Sequence, residues 1–253
     1  IPYILSQVDK AIEREKHHIL RFGTGELSDS LALDRKYKLN RPLIEFFGGK
    51  NKALLELKSK WAYIKHLIPY LNPFTVISFS LAPQRIISQE EKRTSPLYKR
   101  LKAAKKAQDL GCFVGLHFDP IIIYDGFEKD YEYLIEDISR TLDLKKVIWV
   151  SLGLLRFPPK LLNHYIEEGR KNLLYGEFIR GEDGKYRYIK NERIKVFKML
   201  YKLLKNKEEK LFIYLCMERE DIWKEVTGMA LKDNEALTGL FDKRIKTLYG
   251  GRL

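Results

Sequence analysis

The sequence predicts an α/β fold: a partial (β/α)6, TIM-like barrel of parallel strands, with a basic β-hairpin inserted towards its C-terminal part. Short apolar runs recur along the chain with helical periodicity between them, the pattern of a parallel sheet covered by helices. Six such runs can be read, a natural number for an open or partial barrel. A doubly wound sheet is the alternative, but no Gly-x-Gly-x-x-Gly or P-loop sequence follows any of the runs.

Taken in order, Ile19-Leu20-Arg21-Phe22 is the first strand and leads into the glycine-rich turn Gly23-Thr24-Gly25. Leu54–Leu57, running on towards Lys60, is the second and Phe74–Ser80 the third. Thr94-Ser95-Pro96 then offers a hydroxyl cap and a proline to open a helix that Gly111 closes. On that helix Leu97, Leu101, Ala104, Ala107 and Leu110 share one face. Cys112–Phe118 is the fourth strand, followed by a helix over Glu128–Thr141. Lys146–Leu152 is the fifth strand, and Pro158–Gly169 a helix. Leu173–Lys190 reads as a hairpin turning at Gly181-Glu182-Asp183-Gly184. A helix over Asn191–Lys205, a sixth strand at Leu211–Cys216 and a helix over Glu218–Thr227 complete the barrel. Residues 1–230 form one domain containing the hairpin 173–190, and 231–253 a loosely ordered tail.

Composition narrows the function. The 253 residues carry 47 Lys and Arg against 34 Asp and Glu, a net charge of +13, which attracts polyanions such as nucleic acid. Lys92–Lys106 holds seven basic residues and no acid, and Lys171–Lys205 ten basic residues against four acids, interleaved with Tyr175, Phe178, Tyr186 and Tyr188. Aromatics among cations suit unpaired or flipped bases, although a Lys-rich solvated face has the same composition. No run is long and apolar enough for a membrane span, and no secretory signal opens the chain. The two cysteines, Cys112 and Cys216, exclude a disulfide framework and point to a reducing, cytoplasmic setting.

In such barrels chemistry sits at the C-terminal ends of the strands. That rule nominates Gly23–Asp29, Lys60, Ser80, Asp119 and Leu152–Arg156 as one mouth. Glu26, Ser28 and Asp29 could bind an amine, a hydroxyl or a carboxylate; equally, Ser28 or Asp29 could cap the next helix. The histidines His17, His18, His66, His117 and His164 show no metal-ligand spacing, and only His117, beside Asp119, is a pocket candidate.

The succession Arg21-Phe22, Ser28-Asp29, Asp34, Lys60, His66-Leu67, Ser80, Thr94-Ser95-Pro96-Leu97-Tyr98-Lys99-Arg100, Asp119-Pro120-Ile121, Tyr124-Asp125-Gly126 and Arg156-Phe157 resembles the spore photoproduct lyase family of radical S-adenosylmethionine enzymes. The resemblance covers about Ile4 to Lys190, beginning just after the family's cluster-binding loop. It implies a partial barrel holding a [4Fe–4S] cluster on a CxxxCxxC loop. There S-adenosylmethionine is cleaved to a 5′-deoxyadenosyl radical that abstracts hydrogen from a DNA substrate. By position it places Ser28, Asp29, Lys60, Ser80 and Asp119 around the cofactor. It places Arg156, Lys185, Tyr186, Arg187 and Tyr188 against nucleic acid. Glu26 falls where the family has a cysteine that returns a hydrogen atom to the product radical, which a carboxylate cannot do. Cys216 is a candidate replacement donor, or else a small buried apolar residue. The resemblance further implies a monomer served by an electron donor such as flavodoxin or ferredoxin. Two cysteines cannot ligate the cluster, and the chain opens at Ile1 without Met, so the chain as given is expected to be a catalytically silent piece of a larger enzyme. The alternatives are a non-catalytic basic barrel that binds nucleic acid, and a radical enzyme acting on a small molecule or peptide.

Overall fold

In the computed structural model, residues 1–250 are described. The chain runs α1 (Pro2–Arg14), β1 (Leu20–Thr24), α2 (Asp34–Tyr37), α3 (Asn40–Gly48), β2 (Ala53–Ser59), β3 (Thr75–Ser80), α4 (Gln84–Glu90), α5 (Leu97–Asp109), β4 (Val114–Ile121) and α6 (Phe127–Thr141). It continues through β5 (Val147–Leu154), β6 (Arg156–Phe157), α7 (Pro159–Glu167), β7 (Phe178–Arg180), β8 (Tyr186–Tyr188), α8 (Lys190–Lys207), β9 (Ile213–Leu215), α9 (Glu220–Thr227) and α10 (Asn234–Tyr249). Six strands make one sheet in the order β1-β2-β3-β4-β5-β9, every neighbouring pair parallel. This is the predicted half-barrel.

Alternation within the strands separates a polar face from the apolar core. Glu56 and Lys58 on β2, Ser78 and Ser80 on β3, Gly115, His117 and Asp119 on β4, and Trp149, Ser151 and Gly153 on β5 occupy every second position. The pairings Ser78↔Gly115, Ser80↔His117 and His117↔Ser151 bring them to one face, the lumen. Leu55, Leu57, Ile77, Phe79, Val114, Leu116, Phe118, Val150 and Leu152 are buried in the main core. Gly115 has to lack a side chain: a Cβ there would lie 2.2 Å from Ser78 Oγ and 2.6 Å from Trp149 Nε1.

The α5 helix buries Leu97, Leu101, Ala104 and Ala107 as its periodicity predicts, whereas Leu110 is its C-cap and exposed. The expected hydroxyl cap is not used. Gln84 Oε1 on α4 accepts the Leu97 amide (2.8 Å), while Ser95 Oγ accepts from Ala62 N (2.9 Å). The hairpin forms with β7 and β8 antiparallel, and β6 joins them as a third strand with Arg156 opposite Arg187.

The expected loose tail is instead ordered: Asn234–Tyr249 is a helix whose N-terminus is capped by Asp233, the carboxylate accepting from Ala236 N (2.8 Å). The last three residues of that segment, 251–253, lie outside the described residues. Helix α10 lies across the end of the barrel where the strands begin. Phe241 packs on Trp149, Phe212 and Tyr214, and the Arg21 guanidinium stands 3.5 Å from its ring centre. Asp242 accepts from Ile19 N (3.2 Å) and bonds His18 (2.7 Å) beside β1. Arg244 donates to Val147 O (2.6 Å) and Ile148 O (3.2 Å) on β5, and to Lys210 O (3.3 Å) ahead of β9. The apolar positions Phe241, Ile245 and Tyr249, four apart, carried the sequence signal for this helix. Ile245 is fully buried, and Ile245→Ala should cost about 3 kcal/mol in a urea titration.

Candidate active site at the strand ends

The loop after β1 and the ends of β2 and β3 enclose a cavity of about 240 Å³ lined by Glu26, Ser28, Asp29, Lys58, Lys60 and Ser80, with Gly25, Leu27 and Ser59. Four of the five residues predicted to bind a cofactor therefore meet at one mouth. Gly25 makes the close approach possible, with φ at +97° and a would-be Cβ 2.3 Å from Lys58 O.

Each side chain has a defined job in that geometry. Asp29 Oδ1 accepts from Leu31 N (2.8 Å), Ala32 N (2.9 Å) and Ser59 Oγ (2.7 Å), and Oδ2 from Lys60 N (2.6 Å). Asp29 is thus a latch between the loop and the end of β2, the capping alternative extended across two elements. Asp29→Ala should lower stability by about 2–3 kcal/mol, read as a fall in melting temperature. Lys60 Nζ pairs with Glu91 Oε1 (2.7 Å), and Arg100, fully buried, bonds the other Glu91 oxygen. Burial alone would raise the Glu91 carboxyl, but Lys60 and Arg100 outweigh it and hold it below the usual range. Ser28 is exposed at the rim, and Ser80, buried, sits at the end of β3. Glu26 is exposed and accepts from Lys58 Nζ (2.6 Å).

Deeper in the lumen lies a polar cluster of which the sequence reading singled out only His117. Glu56 Oε1 accepts from Ser78 Oγ, from Trp149 Nε1 (3.0 Å) and from His117 Nε2 (2.8 Å). Burial would raise this carboxyl, but His117, Ser78 and Trp149 bring it down to about 2. A signal was present in the run Glu56, Lys58, Lys60, where charges at every second position of an apolar strand point to one polar face.

Across the lumen, Asp119, Arg156 and Cys216 form a second group at the ends of β4, β5 and β9. Arg156 Nη2 approaches Cys216 Sγ at 3.8 Å, and the Asp119 carboxylate lies over Gly153. Burial first, and then Asp119, push the Cys216 thiol up to about 11, so it stays protonated at neutral pH. Arg156 Nη1 is buried without a partner among the described residues.

The hairpin departs from expectation at Tyr188. Its ring is fully buried, 4.6 Å from Phe178, and its hydroxyl accepts from Ile123 N (3.1 Å). Tyr188 is a core residue with no face free for a base. Tyr186 packs against Phe157, Arg187 bonds Asp183, and Lys185 stands beside the turn.

Comparison with known proteins gives a consistent set of likenesses. The family model described as Spore photoproduct lyase matches residues 1–209. A spore photoproduct lyase of Bacillus subtilis (strain 168) is 30% identical over 202 residues, 75% of this chain and 58% of that protein. One from Clostridium acetobutylicum is 30% identical over 145 residues, 57% of this chain and 43% of that protein. Among solved structures, spore photoproduct lyase complexed with dinucleoside spore photoproduct superposes with a TM-score of 0.75 at 23% identity, over 84% of this chain and 66% of the other. A variant of it with bound AdoMet and the same dinucleoside gives 0.74, also at 23% identity, over the same shares. The chain spans less than two thirds of the length of each of these relatives.

Proposed function

The chain belongs to the spore photoproduct lyase family, and from that membership we propose that it is the half-barrel of a radical S-adenosylmethionine enzyme acting on DNA. The observation that carries the reading is the mouth, where the hydroxyls of Ser28 and Ser80 and the ammonium of Lys60 border one cavity. Those groups fit the ligand: hydroxyls for ribose oxygens and an ammonium for the amino-acid carboxylate. Lys60 spends one of its three donors on Glu91 and keeps two for the ligand. Asp29 holds the loop against β2 and so positions Ser28, while Asp119 borders the opposite side.

S-adenosylmethionine held by Ser28, Lys60 and Ser80 would supply hydrogen-abstracting chemistry only with an electron from a reductant that the described residues do not hold. The chain's own residues bind and orient. Arg156 across the lumen, with Lys185 and Arg187 on the hairpin that pairs with its strand, would supply positive charge for a phosphodiester, and Tyr186 an aromatic edge. Glu26, paired with Lys58, anchors polar groups and donates no hydrogen atom; Cys216, protonated, is the thiol nearest that role. No group of three or more His, Cys, Asp or Glu that could hold a metal ion occurs among the described residues. The described residues therefore do not fit a [4Fe–4S] cluster. Nor is any helix among the described residues long and apolar enough to cross a membrane.

The test is anaerobic reconstitution of the full-length gene product with iron and sulfide, followed by dithionite and S-adenosylmethionine. Release of 5′-deoxyadenosine is the expected result. A cluster-loaded sample that releases none overturns the reading.

A further inference from the structure

The basic run Lys92–Lys106 divides in two once it is folded. Lys92, Arg100 and Lys105 face carboxylates: Glu168, Glu91 and Asp109 respectively. Lys99, Lys102 and Lys106 instead edge a groove of about 740 Å³ between α5 and the segment Trp61–Ile68, with Lys65 on the opposite rim. Its floor is Ala62, Ile64, Ile68, Pro96 and Ala103, and no carboxylate lines it. Among the described residues none of these four lysines is in an ion pair.

Three further observations define what fits. Lys99, Lys102 and Lys106 project at helical spacing over an axial length of about 10 Å, a row of charges along one edge that suits consecutive phosphates of a strand. Trp61 stands at the groove with 37% of its surface exposed, while Trp149 and Trp223 are 2% and 3% exposed. The groove also abuts the mouth, since Ser95 N on its wall donates to Lys60 O (3.0 Å).

We propose that this groove holds a segment of unpaired nucleic-acid strand, its phosphates on Lys99, Lys102, Lys106 and Lys65 and a base stacked on Trp61. The inference rests on the DNA reading above and adds a contact region separate from the hairpin. Uncompensated positive charge calls for a polyanion, and the indole among the lysines selects one that carries bases. Stacking requires no sequence, so the groove tracks a strand rather than reading it.

Because only Trp61 is exposed, tryptophan fluorescence reports this groove. Titration of the chain with a short oligothymidylate is expected to give saturable quenching. The variant Lys99→Gln/Lys102→Gln/Lys106→Gln, altered only on the surface, should bind at least about tenfold more weakly, with a salt slope shallower by about 2. Trp61→Ala should weaken binding, followed by polarisation of a labelled strand, by about tenfold. Lys185→Ala/Arg187→Ala is run in parallel. If that variant loses affinity while the triple lysine variant binds like the parent chain, the groove proposal is overturned and the DNA reading stands. Quenching by poly-glutamate but not by oligothymidylate makes the groove a protein-docking surface and also overturns it. If the chain binds no oligothymidylate at all, both fall.

Discussion

Arg100→Ala is expected to destabilise the chain by about 3–5 kcal/mol. The guanidinium is fully buried and every nitrogen is used: Nε donates to Ser95 O (2.7 Å), Nη1 to Ser80 O (2.7 Å), and Nη2 to Thr94 Oγ1 (2.9 Å) and Glu91. Removing it leaves a cavity, two backbone carbonyls without their donor, and Glu91 facing Lys60 alone. The cost of a stranded buried charge exceeds what the pair adds over apolar packing. The double variant Arg100→Met/Glu91→Leu should therefore recover a substantial part of the loss. Urea titrations of the parent chain, Arg100→Met, Glu91→Leu and the double variant decide the matter. If the double variant is as unstable as the sum of its parts, charge is not the cause. The effect also reaches the mouth, because Arg100 fixes the carbonyl of Ser80 and its partner Glu91 holds Lys60.

The second large effect is one of pH. The Glu56 carboxyl lies at about 2 in the folded chain against an ordinary value of 4.5. A depressed carboxylate contributes stability that is fully present above its unfolded value and is lost as pH falls towards its folded one. The window is therefore about pH 4.5 down to about 2, and the contribution at stake is about 3 kcal/mol. Other carboxylates titrate in the same range, so the informative quantity is the difference between the parent chain and Glu56→Gln. Denaturation midpoints at pH 6 and pH 3 should differ less in the variant. Parallel pH profiles for the two proteins would show that His117, Ser78 and Trp149 do not stabilise the ionised form.

Much of this was legible in the residues because the parallel sheet announces itself through local pattern. Six apolar runs became six strands, and residues at their C-terminal ends, Ser28, Asp29, Lys60 and Ser80, did converge. Partners set by tertiary packing were not legible. Nothing near Lys60 in sequence indicates that it pairs with Glu91, and nothing in the Gln84 amide indicates that it caps a helix 13 residues away. Tyr188 makes the same point from the other side. A tyrosine between cations reads identically whether its ring stacks on a base or fills a core, and only the bond from Ile123, 65 positions away, separates the two. Helix α10, by contrast, was legible, and the loose tail expected there misreads it: Leu237, Leu240, Phe241, Ile245, Leu248 and Tyr249 recur at spacings of three and four.

That helix also bears on the mechanics of the open sheet. The first and last strands of a half-barrel share no hydrogen bonds, so nothing in the ladder itself fixes how far apart they stand. Asp242 grips the β1 side and Arg244 the β5 and β9 side, which makes α10 a chord strung across the arc. The two edges of the arc are thereby tied by side chains as well as by the ladder, at the end of the sheet opposite the mouth and by residues that do not line it.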